Sequence, residues 1–208
     1  MKISYAITVC NEFVEIQKLV TFLRENKRIQ DEIVILFDQK NGDTEVAKWL
    51  TKQNKYPNVQ FWRGFEFDGD FSNWKNLLTT YCAGDYIFQI DADEMPDWYL
   101  IQHLPEILEA NPDNEVFLVP RVNTVEGLTQ KHIQKWGWNV NENGWVNWPD
   151  YQWRIWKKKP EIKWKNKVHE VLDGYKTYST LPAEPEFSLK HPKDIKRQEK
   201  QNAYYSTL

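Results

Sequence analysis

The chain has 208 residues, 41% of them hydrophobic, so it can bury a core of ordinary size and lies within the range of one domain. Its formal net charge of −3 excludes a global electrostatic drive toward nucleic acid or an anionic membrane. No apolar run approaches the roughly 20 residues of a membrane span, and residues 1–9 do not resemble a signal peptide. Cys10 and Cys82 lack metal-ligand or redox spacing, which favours reduced thiols and a cytoplasmic protein.

The first half of the sequence alternates predicted strands and helices, as a parallel sheet with helices on both faces does. Apolar residues alternate over 3–9, and a helical spacing follows over 13–23, with Asn11 as its predicted N-cap. A continuous apolar run at 33–37 predicts a strand that is buried on both faces and stops at Asp38.

The same alternation continues along the chain. A predicted helix runs through Leu50, and a short strand follows at 59–62. The next predicted helix is capped by Ser72 and ended by Gly84. An apolar strand at 86–90 completes a fourth strand of the α/β pattern.

The second half is less regular. Strands are predicted at 116–119 and 151–156, with a further strand possible at 168–172 and a polar helix after Pro192. Between them, 123–150 is a long polar segment rich in Trp, Asn and Gly. A loop of that length is usually functional in a compact domain, so we expect an active-site flap.

An acidic sequence, Asp91-Ala92-Asp93-Glu94, directly follows the fourth predicted strand. Ligands of open α/β sheets bind at the carboxyl ends of the strands, and Asp38 ends the second strand in the same way. Two carboxylates separated by one residue of extended chain can point to the same side. Such a pair suits Mg²⁺ or Mn²⁺ bound to phosphate oxygens, whereas the simpler interpretation is a solvated turn.

Six segments, taken in chain order, resemble family 2 glycosyltransferases, and most closely the bacterial branch that adds sugars to the lipopolysaccharide core. Each short motif is weak alone, but their order makes the resemblance specific. The six segments are Ile7-Thr8-Val9-Cys10-Asn11-Glu12, Ile35-Leu36-Phe37-Asp38 with Gly42-Asp43-Thr44, Asp70-Phe71-Ser72-Asn73-Trp74-Lys75-Asn76, Asp91-Ala92-Asp93-Glu94, Pro149-Asp150-Tyr151-Gln152-Trp153-Arg154 and Val168-His169-Glu170.

The resemblance implies a GT-A fold, which is a Rossmann-like α/β fold with a mostly parallel sheet flanked by helices. It also implies an inverting reaction and a nucleotide diphospho-sugar donor, with UDP as the expected nucleotide. We therefore expect one domain over residues 1–208, with a nucleotide-sugar half (1–111) and an irregular, Trp-rich acceptor half (112–208).

The resemblance also assigns site residues by motif position. In the family pattern Asp38 contacts the base, and Lys75 with Asn76 lies near the ribose or diphosphate. Asp91, Asp93 and His169 are the expected ligands of Mn²⁺ or Mg²⁺. The residues expected in the nucleotide site are Thr8, Asn11, Glu12, Asp38, Lys75, Asn76, Asp91 and Ala92.

An inverting transfer needs a general base for the acceptor hydroxyl. Asp150 is the first candidate and Glu170 the alternative, and Arg154 is expected to pair with the diphosphate or with Asp150. Simpler interpretations are a turn at Pro149-Asp150, a structural His169 and a surface ion pair at Arg154.

Two groups of side chains bear on the acceptor. Tryptophans can stack on sugar rings or simply pack, and basic residues either form a solvated face or attract an anionic partner. That partner could be phosphorylated lipopolysaccharide core, another glycan, an anionic membrane or DNA with a hydroxylated base. The residues concerned are Trp136, Trp138, Trp145 and Trp148, and the lysines 157, 158, 159, 163, 165 and 167 of the Lys157–Lys167 patch.

Two other classes of function remain open from the sequence. A nucleotidyltransferase would also use carboxylate-bound metal, but the segment after the first strand lacks a glycine-rich phosphate loop. A non-catalytic carbohydrate- or nucleic-acid-binding protein would use the aromatic segment, with the acids only ending strands.

Overall fold

The computed structural model describes residues 1–205, so the last three residues of the expected domain lie outside the described part. The helices are α1 (Phe13–Asn26), α2 (Thr44–Thr51), α3 (Phe71–Tyr81), α4 (Trp98–Ala110), α5 (Gln130–Trp136) and α6 (Ile195–Tyr205). The strands are β1 (Ile3–Val9), β2 (Glu32–Asp38), β3 (Val59–Phe65), β4 (Tyr86–Asp91), β5 (Met95–Pro96), β6 (Val116–Val119), β7 (Arg121–Glu126), β8 (Gln152–Lys157), β9 (Lys163–Lys165), β10 (Val171–Asp173), β11 (Tyr178–Thr180) and β12 (Leu189–Asp194).

The main sheet has seven strands in the order β11-β6-β8-β4-β1-β2-β3. Strands β4, β1, β2 and β3 are mutually parallel, whereas β8 runs antiparallel to both β4 and β6. This mixed, mostly parallel sheet flanked by helices confirms the predicted α/β class. The carboxyl ends of β1, β2 and β4 therefore meet at one edge of the sheet.

Helices cover both faces of the sheet. Apolar residues of α1, α2 and α4 pack with Tyr5, Ile7 and Phe88 on one face. On the other face Trp74 and Leu78 of α3 pack with Ala6 and Trp156 among others. Because both faces are covered, the central strands are mostly apolar, and the strand ends are where a polar ligand is expected to bind.

Three expected helix boundaries were wrong in their detail. The N-cap position of α1 is Glu12 rather than Asn11, and it makes no side-chain cap bond. Helix α3 is capped by Asp70, whose carboxylate accepts the Asn73 N–H, while Ser72 lies inside the helix. Gly84 does not cap α3. It lies beside Ser4, whose backbone nitrogen would be 2.7 Å from any added Cβ.

The segment 123–150 is not the expected structureless loop. Its first residues belong to β7, which pairs in parallel with β12, and α5 follows. Val146 then forms isolated bridges with Asn123 and Val140. The possible strand at 168–172 is shifted, since β10 starts at Val171 and pairs with β9. Within the described residues, no helix is long and apolar enough to cross a membrane.

Candidate functional site

A cavity of about 990 Å³ lies at the carboxyl ends of β1, β2 and β4. Thr8, Asp38 and Asp91 come from the ends of these three strands. Residues of β7, β8, β12 and α6 also line it. The cavity therefore draws on both halves of the chain.

Nearly all of the predicted site residues meet in this cavity. The exception is Asn76, whose side-chain amide binds the Trp164 backbone twice, at 2.8 and 2.9 Å, and does not line the cavity. Asn76 therefore holds α3 to β9, and we do not retain it as a nucleotide contact. The predicted residues that line the cavity are Thr8, Asn11, Glu12, Asp38, Lys75, Asp91, Ala92, Asp93, Asp150, Arg154, His169 and Glu170.

A line of alternating charges links the acidic turn after β4 to Asp150. Arg154 Nη2 donates to Asp91 Oδ2 and to Glu94 Oε1, each at 2.6 Å. Arg121 then joins Glu94 Oε1, at 3.0 Å, to Asp150 Oδ2, at 2.7 Å. Glu94 is 1% exposed, and its other oxygen accepts the Asp91 N–H. This buried carboxylate thus connects the acidic turn after β4 to Asp150.

The expected pairing of Arg154 with Asp150 is wrong, as is the reading of Arg154 as a surface ion pair. Arg154 is 3% exposed and pairs with Asp91 and Glu94, while Arg121 pairs with Asp150. Burial alone would lower the pKa of Arg154, but the two carboxylates outweigh it, so its pKa is raised. Its charge is consequently permanent in this site.

The carboxyl of Asp91 stays ionised for the same reason. Burial opposes the charge, but Arg154, Lys75 and Arg121 outweigh it and hold the pKa of Asp91 well below its usual range. Arg154 occupies Oδ2 of Asp91, and Lys75 Nζ lies 3.9 Å from its Oδ1.

Asp150 is held by four hydrogen bonds. Its Oδ2 accepts two from Arg121 and one from Asn123, at 2.7 to 2.9 Å, whereas Oδ1 accepts one from Gln152 at 2.8 Å. Burial would raise the pKa of Asp150, but the Arg121 charge and these hydrogen bonds lower it. An ionised carboxylate has about two acceptor sites on each oxygen, so Oδ1 keeps one for a ligand.

Asp93 has a different set of partners. Its Oδ2 lies 3.3 Å from His191 Nε2 and 3.2 Å from Arg197 Nη2. Burial would raise the pKa of this carboxyl, but the hydrogen bond and charge of His191 lower it to about 2. His191 is in turn held by Asn123 Oδ1, at 2.8 Å from Nδ1.

Glu170 is paired with a buried lysine. Lys75 Nζ lies 2.5 Å from Glu170 Oε1 and 4.6 Å from the centre of the Trp164 ring. Lys75 is 5% exposed, so its ammonium depends on Glu170, Asp91 and the ring for compensation. Oε1 of Glu170 is therefore already bound to the Lys75 ammonium.

Asp38 organises the loop that follows β2. Its oxygens accept hydrogen bonds from the backbone of Lys40, Asn41 and Phe67 and from the Asn41 side chain. Gly42 donates its N–H to the Asp38 carbonyl, and an added Cβ would lie 2.3 Å from that oxygen. The loop shape therefore requires glycine at this position.

The donor groups of the cavity bear on the metal hypothesis. Among the described residues, no three His, Cys, Asp or Glu side chains form a ready-made cage. Mg²⁺ is commonly held by only one or two carboxylates together with substrate phosphates. Asp93 and His169 both line the cavity. His169 has a φ of 52°, which is uncommon outside glycine. Asp93 and His169 are therefore the residues that would hold a cation shared with a ligand's phosphates.

Several cavity residues were missed from the sequence. Arg121, Asn123, His191, Lys193 and Arg197 all line the cavity, and no short motif contains them. Glu94 was recognised only as part of the acidic sequence. The one available signal was that sequence itself, because a buried acidic turn requires cations from elsewhere in the chain.

The aromatic and basic groups are only partly at the site. Of the four tryptophans named as acceptor contacts, Trp138 lines the cavity, whereas Trp136, Trp145 and Trp148 do not. In the lysine patch, four side chains have partners within the protein. Lys157 and Lys158 bind the carbonyls of Pro112 and Cys82, and Lys159 and Lys165 pair with Glu115 and Asp173.

The fold is similar to that of TarS from S. aureus. The TarS 1–349 complex with UDP-GlcNAc superposes with a TM-score of 0.65 over 92% of this chain, at 13% identity. The complex with UDP gives a TM-score of 0.56 over 87% of this chain, at 14% identity. This chain spans 58% and 61% of those two chains. At this identity the similarity shows the fold, and the predicted GT-A arrangement is confirmed.

The sequence comparison identifies the family. The family described as glycosyl transferase family 2 matches residues 4–183, which include every segment on which the resemblance rests. The match covers most of the chain and includes the strand ends and Asp150, whereas the cavity residues of β12 and α6 lie beyond it. The chain therefore belongs to glycosyl transferase family 2.

Proposed function

We propose that this chain transfers a sugar from a nucleotide diphospho-sugar to a hydroxyl acceptor with inversion at the anomeric carbon. The observation that carries the proposal is the cavity, in which Asp38, Asp91 and Asp93 at the strand ends line the same space as Asp150. A donor bound at the strand ends would then share the cavity with a further carboxylate, that of Asp150. In an inverting displacement, attack and departure occur on opposite faces of the sugar.

Asp150 is the proposed general base. It takes the proton of the acceptor hydroxyl as that oxygen attacks the anomeric carbon and the nucleoside diphosphate departs. Oδ1 of Asp150 keeps an acceptor position, and Arg121 orients the carboxylate. Glu170 is the weaker candidate because its Oε1 is already bound to the Lys75 ammonium at 2.5 Å.

Asp93 is the proposed principal ligand of Mn²⁺ or Mg²⁺, with His169 as a second and Asp91 as a further one. When bound, such an ion neutralises charge that develops on the departing diphosphate. Arg154 and Lys75 lie beside the two different oxygens of Asp91, whereas the contacts of Asp93 with His191 and Arg197 both fall on Oδ2, which leaves Oδ1 of Asp93 for a cation. Arg154 Nη2 lies 2.6 Å from Asp91 Oδ2 and Lys75 Nζ lies 3.9 Å from its Oδ1, so both side chains add positive charge beside that carboxylate.

UDP-sugars are the first donors to test, because the structurally similar TarS has been solved with UDP-GlcNAc and with UDP. For the acceptor, we propose a glycan hydroxyl such as that of lipopolysaccharide core, following the branch that the motifs resemble. A membrane-linked acceptor or a hydroxylated DNA base are the alternatives that an acceptor panel would separate.

The test is a thermal-shift panel of nucleotide sugars with Mn²⁺ or with EDTA, followed by assay of nucleotide release from the best donor. We expect stabilisation that requires both the nucleotide and the metal. Asp93→Ala should remove the metal-dependent part, whereas Asp113→Ala, an exposed carboxylate outside the cavity, should not. A flat response across the panel, or binding that EDTA does not affect and that releases no nucleotide, would instead support a non-catalytic binding protein.

A further inference from the structure

Arg197, in the first turn of α6, holds three carboxylates at the rim of the cavity. Its Nη2 lies 3.2 Å from Asp93 Oδ2 and 3.6 Å from Glu12 Oε1, and its Nη1 lies 3.2 Å from Glu15 Oε1. Glu12 and Glu15 belong to the start of α1, and Asp93 follows β4. The guanidinium thus joins α6 to the donor side of the site.

The position of the Arg197 side chain allows it to change partners. Arg197 is 33% exposed, and it lines both the main cavity and a second cavity of about 580 Å³. Exposed ion pairs contribute little to stability, so exchanging one partner for another costs little free energy. The partly exposed pairs with Glu12 and Glu15 can hold the side chain while its contact with Asp93 changes.

The balance of charges in the cavity determines whether positive charge is available for a donor diphosphate. Among the described lining residues, six acidic side chains are matched by six basic ones. The acidic residues are Glu12, Asp38, Asp91, Asp93, Asp150 and Glu170, and the basic ones are Lys75, Arg121, Arg154, Lys193, Arg197 and Lys200. Each of the central cations already faces a carboxylate. Apart from the exposed Lys200, positive charge for a donor diphosphate must therefore be released from an internal pair.

Arg197 is the cation best able to supply that charge. Arg154 and Arg121 are fixed between buried carboxylates, and Lys75 is tied to Glu170. Arg197 is more exposed than any of these three, and Lys200 lies one turn further along α6 on the same cavity. A guanidinium is also the side chain best shaped for two-pronged binding of phosphate oxygens.

We propose that Arg197 is an exchangeable diphosphate ligand: in the free protein it occupies Asp93, and on donor binding it leaves Asp93 and binds the donor's diphosphate. Asp93 is then available to the cation that the proposed function requires, so this inference rests on that function. Removal of Arg197 should therefore have opposite effects on two ligands. Mn²⁺ alone should bind more tightly, since its competitor at Asp93 is gone, whereas the nucleotide should bind more weakly.

The experiment measures both affinities in Arg197→Gln. Binding of Mn²⁺ without nucleotide is followed by electron paramagnetic resonance, and binding of UDP with saturating Mn²⁺ by calorimetry. We expect the Mn²⁺ affinity to rise several-fold and the UDP affinity to fall by about 10-fold or more, as for the loss of a charge-assisted hydrogen bond. Arg197→Lys keeps the positive charge but loses the planar guanidinium that binds two phosphate oxygens. Its Mn²⁺ affinity should therefore stay near that of the wild type, while its UDP affinity should fall.

Lys196→Gln is the matched control, because it removes one positive charge from the adjacent, exposed position of α6 outside the cavity. Both affinities should be unchanged in it. A fall in both affinities in Arg197→Gln, an unchanged UDP affinity, or the same pattern in Lys196→Gln would overturn the inference and leave the proposed function standing. Failure of the wild-type protein to bind UDP or any other nucleotide of the panel with Mn²⁺ would overturn both.

Discussion

The two sides of the cavity differ in charge and in how they are built. At the sheet edge, the acids Asp38, Asp91 and Asp93 follow regular parallel strands. The other side, which we call the facing side, is the group of lining residues from the second half of the chain. Its arginines Arg121, Arg154 and Arg197 come from β7, β8 and α6. The acids are thus delivered by repeated local geometry, whereas the cations that neutralise them come from distant parts of the chain.

This difference shows that the acidic sequence after β4 is part of a larger charge network. Glu94 is buried with two guanidinium groups, and Asp91 shares one of them. A buried carboxylate without such partners would be strongly destabilising. The facing side therefore has two tasks, since it keeps the acidic edge folded and it carries Asp150.

The largest expected effect is on catalysis, at Asp150 on the facing side. Asp150→Asn keeps the shape of the side chain but cannot take up a proton, so kcat should fall by roughly 10²–10⁴-fold with a small change in KM. The measurement is the initial rate of nucleotide release with the donor and acceptor found by the panels. Glu170→Gln is the comparison variant. A larger loss in that variant than in Asp150→Asn would reassign the base.

The next effect is on stability, at the junction of the two sides. Glu94→Gln leaves Arg121 and Arg154 without their shared carboxylate, and breaking a buried ion pair costs about 3–5 kcal/mol. Urea unfolding should show this loss in the free energy of unfolding. Glu106→Gln, whose side chain is 79% exposed, should be nearly neutral. Equal stability of the two variants would mean that the network does not join the two sides energetically.

A smaller effect concerns acid pH. Because the pKa of Asp93 falls from 3.8 to about 2 on folding, its contribution is present above pH 4 and is lost as the pH falls toward 2. That contribution is about 2 kcal/mol, and the lowered pKa values of Asp91 and Asp150 act in the same direction. Unfolding measured between pH 5 and pH 2 should therefore be less pH-dependent in Asp93→Asn than in the wild type. The same dependence of the free energy of unfolding on pH in both proteins would show that Asp93 does not contribute to acid stability.

The smallest effect tests Asn76 as a structural residue. Asn76→Ala should lose two hydrogen bonds to Trp164, at about 1 kcal/mol each, and so reduce the free energy of unfolding. Nucleotide affinity should change little. Asn73→Ala, at an exposed position of the same helix, should be close to wild type in stability. A selective loss of nucleotide binding in Asn76→Ala would return it to the donor site.

The sequence predicted the sheet edge well and the facing side poorly. Apolar runs and alternation depend on a few neighbouring residues, so β1, β2 and β4 and the acids after them could be recognised locally. The partners of those acids lie far away in sequence. Arg154 is separated from Asp91 by 63 residues and Arg197 from Asp93 by 104. The segment 123–150 was misjudged because β7 depends on pairing with β12, which no local pattern reveals.

By itself, the sequence determined the α/β class, the family and the acids that the parallel strands place at one edge, because strand periodicity and motif order are properties of the chain. Only the tertiary structure decided that Arg121 rather than Arg154 holds Asp150, that Asn76 supports Trp164, and that Arg197 reaches Asp93. The physical reason is that a buried charge is stabilised by whichever opposite charge packing brings within a few ångströms, and packing joins residues regardless of their separation along the chain.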